Sequence, residues 1–498
     1  FVSVGPVALA SLLVADAVNA GDIAPAEAGA IMAIEVGVIL TVVGLVRMGR
    51  LVNFVSEPAL LGFTAAVAVL ICASQISSFL GVDLERSGNL VDLAGTLGGI
   101  EGVHVPTLML GAAVLAVLLL GNRYAQPALE RLGLSAPVAL SAAKAVPLLA
   151  IAAAAVVAPI LAPETALVQE PEGGLPMPAL PPFAVESWLA LLVPSAVVAL
   201  VVFVTGAAVI KSLPGPGRKA PKTNREAVAV GAANIAAAAT GGYVTGVSLS
   251  RSALVHDCGA RSPLASAVAA LAVVPVILFG GPLLARLPEA ALAALVIGAV
   301  FGLVKVNEIW SVWCHSRAES VVIALTFLGT VLLGVQAGLL TGAVAGIACF
   351  LWISSLPRIA REGHAREDGI YRTVRRDEVE VDTLPVLVVR IDRSIYFANV
   401  GYCEERIGQL VSEHDEANAL LLDMRAVNDV DATGVRMLDR LLKTLADRGV
   451  TVGFAALHAP VAEQLESCAA AGPVQKFLTV EEGVEALTAE VEEARETA

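Results

Sequence analysis

Long apolar runs alternate with short polar breaks along this chain as far as residue 356, and then the pattern changes. Residues 107–121 (TLMLGAAVLAVLLLG) and 188–210 (WLALLVPSAVVALVVFVTGAAVI) carry no charge at all. The runs are continuous, not alternating, which selects helices over the strands of a membrane barrel. About 20 apolar residues carry a helix across the hydrocarbon layer, and only helices and closed barrels satisfy their backbone groups there. Twelve membrane segments are predicted: 2–19, 25–46, 58–80, 107–121, 145–162, 187–210, 226–241, 249–258, 262–285, 288–304, 319–334 and 336–356. Two break the apolar rule. The first opens on Ser3-Val4-Gly5-Pro6, and the eighth is short and begins with polar residues.

Beyond the last run, residues 357–383 read as a charged linker. Strand-like runs follow at 385–391 (PVLVVRI), 395–399 (IYFAN), 418–424 (NALLLDM) and 451–457 (TVGFAAL). A helix is predicted near 401–413. Another, amphipathic, covers 435–449 and ends on Gly449, a C-cap signal. Strands and helices alternating at this length predict a small α/β domain over 384–498.

Composition and charge refine the picture. The chain is 57% hydrophobic and 16% charged, against about 25% charged in soluble domains. The net charge of −14 gathers in loops and in the C-terminal part, and no basic stripe points to nucleic acid. One set of alternate loops collects the basic residues, among them Arg47, Arg50, Lys144, Lys211, Lys219 and Arg317, while the other holds only Arg86 and Arg286. That bias puts 163–186 outside and 211–225, with everything after 356, in the cytoplasm. The six cysteines (72, 258, 314, 349, 403 and 468) are scattered, without CxxC or Cys/His clusters, and read as small buried fillers. No cleavable signal-peptide pattern is visible, and no metal or cofactor motif.

The two irregular segments hold the candidate chemistry. Residues 3–9 and 248–254 both start small and polar and run into a short apolar helix. Transporters built from inverted repeats place their site where two such half-helices meet. Free N–H groups at a helix start attract anions. Arg251 adds a charged fork of donors, and Ser250 and Ser252 add hydroxyls. Together they describe an anion site. The same residues also read as a serine-rich helix cap and an arginine facing lipid headgroups. Glu35, inside the second segment, is a proton site or a structural partner. Gln75 is expected to satisfy a neighbouring helix, and His256 with Asp257 reads as a structural pair at a helix end.

At these residues the chain resembles the sulfate permease family of anion transporters and exchangers that carry a C-terminal STAS domain. Ser3-Val4-Gly5-Pro6-Val7-Ala8 looks like the start of that family's third helix, and 56–81, with Pro58, Gly62-Phe63 and Gln75, like its fifth. Asn224, Glu226, Gly231 and Asn234-Ile235 resemble its N-x-E…G-x-x-N signature. Thr245-Gly246, Ser250-Arg251-Ser252 and Gly259-Ala260-Arg261-Ser262 resemble its tenth helix. Leu422-Asp423-Met424 and Asp431-Ala432-Thr433-Gly434 match the STAS pattern.

The resemblance implies a fourteen-helix transporter of two inverted repeats of seven, the first two helices having no counterpart in this chain. Residues 1–356 would form the transporter and 384–498 a cytoplasmic STAS domain. It implies alternating-access transport of a small anion (sulfate, bicarbonate, chloride or a dicarboxylate). The anion would be held by Gly5, Pro6, Val7, Ala8, Thr205, Ser250, Arg251 and Ser252. It further implies a homodimer in a bacterial-type plasma membrane, with sodium or proton as a coupling ion and no cofactor. Two departures stand out. Thr205 occupies the place of a family glutamate and cannot take up a proton. Ala432 occupies the place of the serine that is phosphorylated in regulatory relatives. A nucleobase permease of the same fold, and a membrane-anchored STAS scaffold that moves nothing, are the alternatives. Arg251 and the 384–490 domain speak against the first.

Overall fold

The computed structural model describes residues 2–19, 23–49, 56–82, 102–168, 181–212, 223–248, 251, 252, 255, 262, 264–301, 304–364, 371–374, 386–414, 417–468 and 475–497. The chain falls into two compact units, Phe1–Ile347 and Ala348–Ala498.

The first unit is helical. It opens with a two-residue strand, β1 (Val4–Gly5), followed by α1 (Ala8–Asn19), α2 (Pro25–Leu45), α3 (Glu57–Ser74) and α4 (Ile76–Leu80). Next come α5 (Val105–Arg131), α6 (Ala136–Lys144), α7 (Val146–Leu161), α8 (Val185–Ser212) and α9 (Thr223–Ala239). A second short strand, β2 (Gly246–Val247), precedes the helical residues Arg251 and Ser252. Then follow α10 (Leu264–Phe279), α11 (Gly281–Leu284), α12 (Glu289–Phe301), α13 (Val306–His315), α14 (Arg317–Leu333) and α15 (Val335–Ser355). Among the described residues six helices are long and apolar enough to cross a membrane, or seven if the bent pair at 138–161 is one span.

In lipid, helices gain nothing by hiding apolar surface from other apolar surface, so close backbone approach matters more. Glycine supplies it here. A Cβ at Gly37 on α2 would lie 2.8 Å from the Gly231 carbonyl oxygen of α9, and a Cβ at Gly231 would lie 2.7 Å from the Gly37 oxygen. On α3, a Cβ at Gly62 would come within 3.1 Å of the Ile323 backbone of α14. Hydroxyls along these interfaces turn back on their own helices. Thr41, Thr326, Thr330 and Thr341 each donate to the carbonyl four residues earlier, at 2.7–2.8 Å. Gln75 departs from expectation. It sits at the break between α3 and α4, and its amide donates to Ser74 Oγ at 3.1 Å beside it rather than to a neighbouring helix. Cys314 is exposed, so the cysteines are not uniformly buried fillers.

The second unit is a six-stranded sheet in the order β4-β3-β5-β6-β7-β8. Its strands are β3 (Ile359–His364), β4 (Tyr371–Thr373), β5 (Val386–Ile391), β6 (Ala419–Asp423), β7 (Thr451–Ala455) and β8 (Gln475–Phe477). Strands β5 to β8 run parallel, whereas β3 is antiparallel to both of its neighbours. The helices are α16 (Val400–Ser412), α17 (Ala432–Ala446), α18 (Ala459–Cys468) and α19 (Val480–Thr497). Met437, Leu438, Leu441 and Leu445 bury one face of α17 against Leu420, Leu422 and Phe454. Asp431 caps that helix. It accepts from Thr433 N–H at 2.9 Å, Gly434 N–H at 2.7 Å and Phe397 N–H at 2.8 Å. Cys403 is buried here, and burial pushes its thiol up to about 12.

Two expectations are corrected. The stretch read as a linker contains β3 and β4, and residues 395–399 make a turn after a single bridge from Ile395 to Val430. The Asn399 side chain builds that turn, donating to Ser394 O at 2.9 Å and accepting from Tyr396 N–H at 2.9 Å. Strand β3 is hidden in the sequence because a charged residue, Glu362, points inward with 1% of its surface exposed. Arg390 (3.5 Å) and Arg425 (3.3 Å) meet its two oxygens. The buried Asp423 carboxylate also shares Arg425, at 2.7 Å.

Burial first, and then the Asp423 charge, push Glu362 up to about 7, against the pull of both arginines. The folded state therefore holds a proton that the unfolded chain, titrating near 4.5, releases. Its contribution to stability is complete below pH 4.5 and is lost as pH rises through about 7. Hydrogen exchange at the amides of β3, β5 and β6, corrected for intrinsic rates, is expected to show protection falling from pH 5 to 8. In Glu362→Gln that dependence is expected to flatten.

Candidate functional site

The two irregular segments, more than 240 residues apart in the chain, meet. Strands β1 and β2 pair antiparallel, with Val4 opposite Val247 and Gly5 opposite Gly246. Side chains and backbone extend the pairing. Ser3 N–H donates to Ser252 Oγ at 2.9 Å, and Ser248 N–H donates to Ser3 O at 3.2 Å. Strand β1 leads into α1 at Ala8, and beyond β2 the residues Arg251 and Ser252 are helical. The first N–H groups of α1 have no intrahelical acceptor and bring a positive dipole end to the crossing, whereas Arg251 N–H meets Ser248 Oγ at 3.4 Å and Ser252 N–H donates to Ser248 O at 3.0 Å.

Arg251 completes the electrostatics. Its guanidinium lies over Gly5 so closely that a Cβ there would sit 3.1 Å from Nη2 and 3.4 Å from the central carbon. A side chain at this position would press on the guanidinium, so Gly5 lets it lie close. Arg251 Nε and Nη2 are both buried, and neither has a hydrogen-bond acceptor among the described residues. Buried charged donors without an acceptor are rare and costly in folded proteins. Thr245 Oγ1, next to β2, is likewise buried without a partner.

The loop carrying β2 is clamped by Asn234 on α9. Its Nδ2 donates to Thr245 O at 3.0 Å and to Val230 O at 2.8 Å, and its Oδ1 accepts from Thr245 N–H at 2.8 Å. Asn224, at the other end of α9, accepts from Gly49 N–H at 2.7 Å. The asparagine–glycine–asparagine spacing thus fixes α9 to α2 and β2 to α9, and the site inherits its position from both.

The predicted residues divide by place. Gly5, Arg251 and Ser252 come together, though Ser252 is fully buried and spends its oxygen tying Ser3. Val7 packs under β2, 3.2 Å from where a Gly246 Cβ would stand. Pro6 is exposed, and Ala8 begins α1. Ser250, His256 and Asp257 lie outside the described residues. No described contact joins Thr205 to the crossing residues. Its hydroxyl donates to Val201 O at 2.7 Å, and it lines a small cavity of about 10 Å³ with Leu60, Phe63, Thr64 and Leu339. The next residue, Gly206, faces Val247 instead. Sequence reasoning listed Asn234 only as part of a signature. The signal for its role is a polar side chain inside an apolar helix, ahead of a glycine-rich loop.

Residues 1–326 match the sulfate permease family, and 377–483 match the STAS domain. The chain belongs to the sulfate permease family: it is a multi-pass membrane transporter of anions and not an enzyme. It is 29% identical over 470 residues to the chloroplastic sulfate transporter 4.1 of Arabidopsis thaliana, covering 91% of this chain and 67% of that one. To a probable sulfate transporter of Mycobacterium tuberculosis it is 29% identical over 503 residues, covering 97% and 86%. In fold it matches the murine solute carrier 26 family member A9 anion transporter in its inward-facing state. There the TM-score is 0.81 at 19% identity, covering 98% of this chain and 83% of that one. The transmembrane domain of a cyanobacterial bicarbonate transporter matches with a TM-score of 0.53 at 17% identity, over 70% and 83%.

The clamp makes a prediction. Asn234→Ala would leave the Thr245 N–H and carbonyl unpaired, at about 1–3 kcal/mol for each buried group. Thermal unfolding of the purified protein is expected at a lower temperature, with anion binding weakened as β2 loosens. Asn234→Asp, which keeps the acceptor for Thr245 N–H, is expected to lose less.

Proposed function

We propose that the chain carries a small divalent or monovalent oxyanion, sulfate first among them, by alternating access, with the anion held where β1 and β2 cross. One observation carries the reading: the Arg251 guanidinium presents two buried donors with no acceptor among the described residues, beside a glycine that gives it room. The anion's charge is met by Arg251 and by the N-terminal dipole of α1. Backbone groups from Gly5 to Ala8 and the Ser250 hydroxyl orient it. Ser252 holds the two segments together, and Thr205 shapes the neighbouring cavity instead of touching the substrate. The curated relatives named above are described as sulfate transporters, which supports sulfate over bicarbonate, chloride or a dicarboxylate. Basic residues in alternate loops support a plasma-membrane orientation with the C-terminal unit in the cytoplasm. There it serves dimerisation and regulation. The Asp431 carboxylate is committed to three backbone N–H groups and Ala432 has no hydroxyl, so regulation by phosphorylation at that position does not follow.

The test is uptake of labelled sulfate by the complete gene product reconstituted in vesicles. Saturable uptake is expected, competed by selenate and not by uracil. Arg251→Ala removes hydrogen bonds to a charged group worth about 1.5–3 kcal/mol, so sulfate affinity should fall about 10- to 100-fold. Arg251→Lys, keeping the charge without the fork, should fall in between. Uptake by Arg251→Ala with unchanged affinity would place the anion elsewhere.

A further inference from the structure

The anion site does not use the most deeply buried carboxyl of the membrane unit. Glu35 has 7% of its surface exposed and is the only buried acid among the described residues of that unit. It stands ten residues from either end of α2 (Pro25–Leu45), about 15 Å from each at 1.5 Å per residue. That depth is the middle of the hydrocarbon layer. Ser195 on α8, itself fully buried, faces the carboxyl, and neither Glu35 Oε2 nor Ser195 Oγ completes a hydrogen bond among the described residues. The surroundings are apolar: Ile31, Met32, Val36, Leu191 and Val198 are all buried in the same cluster.

Among the described residues no counter-charge pairs with it. The helices packed on α2 are α9, α8 and α1. Their charged residues are Arg225 and Glu226 on α9, Glu186 and Lys211 on α8, and Asp16 on α1; α2 itself adds Glu27. Arg225 and Glu226 follow Asn224, which bonds Gly49 beyond the far end of α2. Glu186 lies nine residues before Ser195, and Lys211, whose side chain lies outside the described ones, sixteen after it. Tyr243 packs against Gly29, six residues before Glu35. No ion pair or hydrogen bond joins any of these to Glu35 among the described residues. An ionised carboxylate without partner or water is strongly disfavoured at such a place, and an intramembrane acid retained there marks an ion pathway.

We propose that Glu35, with Ser195 beside it, is the proton-binding site through which transport is coupled, taking the part that Thr205 cannot play. The occupant is a proton and not a metal ion. Hard cations take about six oxygen ligands, whereas one carboxyl and one hydroxyl in an apolar shell offer three. In this conformation Glu35 is the neutral acid. The cycle opens it to water, where the proton leaves to give the carboxylate, and reprotonation from the other side lets the apolar shell close again. Ser195 is the acceptor for the acid proton once the two side chains draw together. Leu40 on α2 and Val202 on α8 line one cavity with Val247 of β2, so the same two helices reach from Glu35 to the anion crossing.

This inference rests on the transport reading, and two measurements on the complete gene product keep the two separable. The first is infrared spectroscopy of the protein in vesicles at neutral pH. In a Glu362→Gln background, which removes the other buried carboxyl still partly protonated near neutral pH, the carbonyl stretch of a protonated carboxyl in an apolar environment is expected and is lost when Glu35→Gln is added; identical spectra in that region would overturn the proposal. The second is sulfate uptake with and without an inward proton gradient, beside sulfate counterflow at equal pH. A gradient of one pH unit is expected to accelerate native uptake, by up to about tenfold for one proton per cycle. Glu35→Gln should lose that acceleration while still showing counterflow, and Ser195→Ala should shift its pH midpoint. Counterflow in the native protein without gradient stimulation, or stimulation persisting in Glu35→Gln, would overturn the coupling site and leave anion transport standing. No counterflow in the native protein would overturn the transport reading, while the infrared band still decides the state of Glu35.

Discussion

The proposed anion site depends on one short antiparallel contact, two residues long, between Val4-Gly5 and Gly246-Val247. Within a helical membrane unit this is an unusual element. Extended backbone at membrane depth is tolerated only where protein encloses it or where it lines a cavity. Here each strand satisfies the other, and both glycines let the backbones and the Arg251 side chain lie close. Without the pairing, a helix start and a guanidinium would be scattered polar groups in an apolar medium. With it they form one electropositive focus.

The supports of that contact are built in the same economical way. Asn234 satisfies both backbone groups of Thr245 with one side chain, and Gly37 and Gly231 allow α2 and α9 to touch backbone to backbone. The result is a rigid frame of α2, α8 and α9 around β2. The glycines that give this closeness cannot be replaced without moving a helix. The second unit rests on different physics, a sheet with an apolar core, into which one charged cluster of Glu362, Asp423, Arg390 and Arg425 is set.

Much of this was legible from sequence. Twelve apolar runs were legible, and among the described residues six of the helices, or seven with the bent pair, are long and apolar enough to cross a membrane. The polar openings of the first and eighth segments stand out against that background, and Arg251 with them. What the sequence could not show is which distant residues touch. Nothing local to Gly5 indicates that its missing Cβ is the room for an arginine 246 positions later. Thr205 was aligned by resemblance to a substrate-facing position, but a one-residue step on a helix turns a side chain by about 100°, since 3.6 residues make a turn. Gly206 takes the face toward β2 instead. Strand β3 was read as linker because an inward charge breaks the period of two. Only the arginines on β5 and after β6 explain how that charge is tolerated.

The central claim is that the crossing of β1 and β2 holds the anion through Arg251. A structure of the protein with selenate, a heavier analogue of sulfate, tests it most directly. The account predicts one ordered selenate within hydrogen-bond distance of Arg251 Nε or Nη2 and of the backbone following Gly5. Selenate ordered at another place in the membrane unit, with the Arg251 donors still lacking an acceptor, would contradict it.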